Sequence, residues 1–317
     1  MRAASLKALI AVTIWGASFV ATKVVVRQID PFALVTLRTA GGALALFALL
    51  KIQGRWQGVI RGRLLLDLAL LAFIGVALHL SLQAVALTLT TAGNTAWLVS
   101  LAPVFIALLA WRFLGESFGA RKLAGFATAM AGALLVVLAR AGSLDALGLP
   151  ATAGDGLVLV GAATWAIYSA LAKRVTPRAS PGAMMVHVMG LGCLMTTPIF
   201  LARQGWLALG QLDTTGWLAV GYLAILSSAA GYLFWYDALA ALDASQVGAF
   251  LYIEPLVTVA LAALLLDEPI RPLMLLGGAA ILLGVWLVTR AGGEGAARRR
   301  ARLWPSLALQ SRSRRRD

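Results

Sequence analysis

The chain has 317 residues, of which 61% are hydrophobic and 13% charged, with a mean hydropathy of +0.87 and a formal net charge of +14. That balance excludes a soluble globular domain, and the single cysteine, Cys193, excludes an intramolecular disulfide. Apolar runs of roughly 20 residues, each enough to cross a bilayer, follow one another along the chain instead. In order they are Ser5–Val26, Pro31–Leu50, Leu64–Leu87, Ala92–Leu114, Lys122–Leu138, Gly154–Lys173, Gly182–Leu201, Thr215–Leu239, Ala244–Leu266 and Pro272–Thr289. The first is too long for a cleaved leader and has no small-residue cleavage signal. The expected fold class is therefore an all-α polytopic membrane protein with ten transmembrane helices.

The runs repeat. WGASFVATK at Trp15–Lys23 returns 150 residues later as WAIYSALAK at Trp165–Lys173, and Pro31 meets Pro181 at the same offset. Pro103-x12-Glu116 matches Pro255-x12-Glu268 at an offset of 152, which also lays Gly125 and Gly132 on Gly277 and Gly284. Matches at nearly constant offset indicate two halves of common origin. The domains expected are a five-helix repeat over 1–140, a second over 141–290 and a basic tail over 291–317.

Lysine and arginine set the topology. With the N-terminus in the cytoplasm, 21 of the 27 Lys and Arg residues fall on cytoplasmic segments and five outside, while Arg38 lies within the second run. Both termini are then cytoplasmic in a bacterial inner membrane. An odd number of helices per half inverts the second half relative to the first, so the halves form an inverted repeat around a central cavity. The tail from Arg290 holds nine arginines against Glu294 and Asp317. It reads as a disordered segment that fixes topology and touches anionic lipid, rather than as a nucleic-acid site.

Ionisable groups within a bilayer are expensive and call for an explanation. Glu254 stands 11 residues past Asp243, about 16 Å along a helix and so near the midplane. It directly precedes Pro255, which lacks an N–H and breaks the helix ladder. A carboxyl group at such a break suits proton or cation binding; the rival role is a structural glutamate that stabilises the break. The matching first-half position before Pro103 is Ala102, so the site is asymmetric. Arg38, seven residues past Pro31, either holds a substrate carboxylate, pairs with Glu254 or snorkels to the headgroups.

Tryptophan prefers membrane interfaces, yet Trp15 and Trp165 fall near mid-depth. Trp15, Ser18 and Thr22 share one helical face, as do Trp165, Tyr168 and Ser169. Ser228, Tyr232, Trp235 and Tyr236 form a stripe on the eighth run. Such aromatic and hydroxyl surface suits a small amphipathic solute, although any one ring taken alone reads first as packing. Gln83, Asn94 and Gln246 either line the same cavity or bond across helices. His79 and His187 each stand alone, without carboxylate or cysteine at ligand spacing, and are assigned to packing or hydrogen bonding. Neither a metal site nor a cofactor is expected.

A membrane enzyme finds no support: there is no HExxH, G-x-S-x-G, P-loop or dinucleotide fingerprint. A non-transporting accessory subunit would need neither Glu254 nor the mid-depth tryptophans.

WGASFVATK, Pro31 with Arg38, LAPVFIALLAWRFLGE (Leu101–Glu116) and LYIEPLVTVALAALLLDE (Leu251–Glu268) together resemble the EamA family of the drug/metabolite transporter superfamily, over roughly residues 5–290. The resemblance implies ten helices in two inverted five-helix bundles, alternating access, and export of amino acids, other small metabolites or drugs. It also implies that a Leu-x-x-Glu-Pro pattern is usual in second repeats, so Glu254 does not identify the substrate. Glu116 and Glu268 end helices and read as caps or anchors. The expected partners are a small-molecule substrate, the lipid bilayer and protons as coupling ion, in a monomer or homodimer. Efflux of cationic drugs, with Glu254 as counter-ion, and uncoupled exchange stay open.

Overall fold

The structure, a computed structural model, describes residues 2–90, 95, 98–141, 152–257, 260–261 and 272–291. All the regular structure among them is helical. The helices are α1 (Arg2–Val26), α2 (Pro31–Ile52), α3 (Arg63–Leu89), α4 (Ala102–Leu114), α5 (Ala120–Ala141), α6 (Ala153–Arg178), α7 (Pro181–Ala202), α8 (Thr214–Ala241), α9 (Ala244–Ala249) and α10 (Pro272–Ala291). Seven of these, α1, α2, α3, α6, α7, α8 and α10, are long and apolar enough to cross a membrane, and α4 is a shorter apolar helix. Leucines such as Leu44, Leu66, Leu218 and Leu275 point outward, as expected of a lipid-facing surface.

Capping chemistry sets several boundaries. Asp30 accepts from the N–H of Phe32 at 2.9 Å to start α2, with Pro31 at its first position. Thr152 and Asp155 form a reciprocal box at the start of α6. Gly115, at φ 64°, ends α4 in the left-handed region that glycine adopts without strain.

Polar contacts separate the two ends of the bundle. At the N-terminal end Lys7 pairs with Asp237 and Arg178 with Asp67. At the far end Arg203 pairs with Asp30 at 2.7 Å, Gln28 donates to Asp213 at 3.1 Å, and Thr90 donates to Asp155. It follows that α1, α3 and α7 run from the N-terminal end to the far end, while α2, α6 and α8 return.

The packing partners also recur in pairs. Helix α2 lies along α7, α3 along α6, and α1 along α8; α6 also touches α4, and α1 touches the segment after α9. Helices α5 and α10 cross on their glycines: a methyl added to Gly132 would stand 2.6 Å from the Gly277 carbonyl, and one added to Gly284 would stand 2.5 Å from that of Gly125. Lys23, ending the apolar part of α1, donates to the Leu87 carbonyl at 2.5 Å. Its sequence counterpart Lys173 donates to the Leu239 and Leu242 carbonyls at 2.6 Å each.

Two wide π-helical turns interrupt long helices, at Phe73–Leu78 in α3 and at Leu223–Gly231 in α8. They occupy equivalent places in helices that run in opposite directions. Such turns occur disproportionately at functional sites.

Candidate functional site

A cavity occupies the centre of the bundle and extends from mid-depth toward the far end. The space open to the centre of a water molecule is about 60 Å³. Helices α1, α2, α3, α4, α6 and α8 line it, together with Thr95, Val99 and the segment after α9. Trp15, Ser18, Arg38, Gln83, Trp165, Tyr232 and Glu254 all reach it, so seven of the residues singled out in the sequence converge on one space.

Arg38 is only 3% exposed. Its Nε donates to the Ser228 hydroxyl at 3.1 Å and its Nη2 to that of Ser227 at 2.9 Å. These consecutive serines lie in the π-turn of α8, whose wide winding turns both toward α2. The approach is possible because α2 presents Gly41 and Gly42 there: a methyl on Gly41 would lie 2.8 Å from the Ala224 Cβ, and one on Gly42 2.9 Å from the Ser228 Cβ. The guanidinium therefore faces the cavity held by neutral hydroxyls, and no ion pair among the described residues includes it. A buried cation held only by hydroxyls favours an anionic partner from outside.

Rings close the N-terminal side of the cavity. Trp15 meets Trp165 edge to face at 5.0 Å and Tyr232 at 5.3 Å, and Trp235 lies 5.2 Å from Trp15 and 5.6 Å from Trp165. Each such pair contributes about 0.5–1.5 kcal/mol beyond its area. The two π-turns orient this wall. Trp15 Nε1 donates to the Ser227 carbonyl at 3.1 Å, and the Tyr232 hydroxyl donates to the Gly75 carbonyl at 3.1 Å. Gly75 has no room for more: a methyl there would stand 2.1 Å from the Tyr168 ring.

Glu254 enters from the far side of the wall. A 3-10 segment, Phe250–Ile253, separates α9 from the helical residues that start at Glu254, so the helix is irregular where Pro255 removes an N–H. Gly16 lets α1 close on this point: a methyl there would lie 2.8 Å from the Val257 Cβ and 3.1 Å from the Glu254 carbonyl. The Glu254 side chain, 6% exposed, borders the cavity.

The remaining expectations divide. Tyr168 and Trp235 are wholly buried behind the wall and do not line the cavity, while Ser228 supports Arg38 instead. Gln246 bonds across helices, donating to the Thr289 carbonyl at 2.7 Å, and His187 accepts from the Ile60 N–H at 3.0 Å. Asn94 lies outside the described residues, as do Glu268 and the basic tail. Among the other lining residues, Phe19, Thr95 and Ser227 were not singled out, and His79 was assigned to packing or hydrogen bonding. His79 bonds the Gly161 carbonyl at 3.0 Å and also faces the cavity. Its spacing of four from Gln83, on one helical face, was the available signal. Among the described residues no cluster of His, Cys, Asp and Glu is suited to a metal ion.

The pattern of the EamA-like transporter family matches residues 2–138 and 152–290. An Archaeoglobus fulgidus protein named "Uncharacterized transporter" is 31% identical over 87% of this chain and 93% of its own. An Escherichia coli protein named "Probable amino-acid metabolite efflux pump" is 28% identical over 88% and 92%. A Streptantibioticus cattleyicolor protein named "Probable terminal-alkyne amino-acid exporter" is 31% identical over 63% and 64%. A protein of known crystal structure shares the fold with a TM-score of 0.75 over 91% of this chain and 96% of its own, at 19% identity.

Proposed function

The chain belongs to the EamA-like transporter family of membrane proteins, and from that premise we propose that it is a secondary transporter exporting a small amphipathic metabolite, an amino acid or close relative, across the cytoplasmic membrane. One observation carries the reading. Arg38, without a carboxylate partner among the ion pairs of the described residues, and Glu254 border the same cavity as Trp15 and Trp165. Arg38 takes the solute's carboxylate, the tryptophans take its apolar part, and Glu254 exchanges a proton. The names of two relatives, one an amino-acid metabolite efflux pump and one an amino-acid exporter, support this solute class.

Ten helices in two inverted halves supply the mechanism. The halves rock about the midplane site, and different affinities of the two end states for solute and proton couple their movements. Support comes from the paired helix contacts, from the two lysines that seal opposite ends on equivalent carbonyls, and from the matching π-turns. The Lys and Arg bias supports a cytoplasmic N-terminal end.

The test is counterflow in proteoliposomes against labelled amino acids and cationic dyes, with and without a pH gradient. Saturable counterflow of a carboxylate-bearing solute, steepened by the gradient, is the expected result. Counterflow of the dyes alone would overturn the assignment of Arg38 and make Glu254 a direct counter-ion.

A further inference from the structure

Two kinds of contact close the N-terminal end of the bundle, and they differ in burial. The ion pairs Lys7–Asp237 and Arg178–Asp67 join the halves on the surface, with side chains 25–44% exposed, where such pairs contribute little. Glu116, 8% exposed in the loop between α4 and α5, behaves differently. It reaches across to the start of α9, where Oε1 accepts from the N–H of Ala244 at 2.6 Å and Oε2 from that of Ser245 at 3.3 Å. The Ser245 hydroxyl also donates to Oε2. Lys122, 3% exposed, donates to the same oxygen at 3.2 Å and lies 3.9 Å from Asp243.

The N–H groups at a helix start attract negative charge. Here the charge comes from the other half of the molecule. Glu254 stands ten residues beyond Ala244 on the same stretch of chain.

A second observation shows what this contact closes off. Trp165 Nε1, Ser169 Oγ and Trp235 Nε1 are buried without a hydrogen-bond partner, and such orphaned groups are rare. Ser169 lies one turn past Trp165 toward the N-terminal end, and the Lys173 contact with the Leu239 carbonyl lies one turn further on. These polar groups thus occupy the layer between the cavity and the closed end, along the path that opening of that end exposes.

We propose that Glu116 is a latch between the halves, fastened on the stretch of chain that also carries Glu254. It latches the start of α9 to the first half and holds the N-terminal end shut while the cavity extends toward the far end. Release of Ala244 and Ser245 precedes opening toward the N-terminal end. The proposal rests on the alternating-access reading above.

The test places one reporter cysteine on each side of the wall in full-length protein lacking Cys193 (Cys193→Ala). Ser169→Cys reports the N-terminal side and Val99→Cys the far side, each labelled in proteoliposomes by a membrane-impermeant maleimide applied from its own face. In Glu116→Gln, labelling at position 169 should rise about tenfold while labelling at 99 falls. Ser245→Ala, which removes a single hydroxyl, should move both rates the same way by a smaller factor and covers the case in which the first variant does not fold. Asp67→Asn, breaking an exposed pair at the same end, should move neither. Unchanged rates, or a rise at both reporters, would overturn the latch, since loosened structure raises both. Counterflow on the same vesicles separates the two claims: transport without opposed labelling removes the latch alone, and opposed labelling without transport removes only the transport reading.

Discussion

The two halves share their scaffold and differ in their charges. Trp15 and Trp165, Lys23 and Lys173, Pro103 and Pro255, and the glycines that cross at α5 and α10 all have counterparts. The charged cavity residues do not: Arg38 corresponds to Val188, and Glu254 to Ala102. Even the π-turns, alike in backbone, differ in content, since Ser227 and Ser228 face Arg38 where the first half has Gly75 and Val76. In the proposed mechanism the shared positions form the frame that rocks, and Arg38 and Glu254 add one cation and one carboxylate to it. Removing the asymmetric groups should therefore impair transport with the fold intact, and removing the shared ones should weaken the fold.

The largest expected effect is at Glu254. Glu254→Gln, close to isosteric, should eliminate the gradient-dependent part of transport while leaving solute binding detectable, as read by counterflow with and without a pH gradient. Next comes Arg38. Arg38→Leu should weaken apparent affinity for a carboxylate-bearing solute by about 10–100-fold, the range for a charged hydrogen bond. Arg38→Lys should rescue little, because an ammonium does not reproduce the fork that meets Ser227 and Ser228 together.

The shared frame predicts a different signature. Gly132→Val or Gly277→Val forces a side chain onto the facing backbone and should destabilise the protein by about 1–3 kcal/mol, seen as a lower melting temperature in detergent. The smallest effect is expected at Asp213, outside the spans. The N–H of Gly216, followed by Gln28, holds its carboxyl below the usual carboxylate range. Its contribution is thus present above that range and disappears as pH falls through the lowered value. The melting-temperature difference between wild type and Asp213→Ala should be small at neutral pH and vanish in acid.

Much of this site was legible because the repeat marks it. Trp15, Trp165 and Glu254 are conspicuous for mid-depth position alone, and the offset of 150–152 residues separates frame from exception. Ser227 was not legible, because a π-turn departs from the 3.6-residue period and faces follow that period only while the winding is regular. Tyr168 and Trp235 share the α-helical stripe of their neighbours yet fall behind the wall, since a helical face wider than the cavity also contacts other helices. For Glu116 the sequence marks a helix end; the partner it caps lies 128 residues away, and no local pattern encodes that distance.

The most direct test of the account is proton movement on addition of a transported carboxylate-bearing solute to proteoliposomes, followed by an internal pH dye in wild type and in Glu254→Gln. The account predicts a proton flux opposed to and proportional to solute flux in wild type, with solute binding but no proton flux in the variant. Equal proton movement in both would contradict it and remove Glu254 from the coupling role.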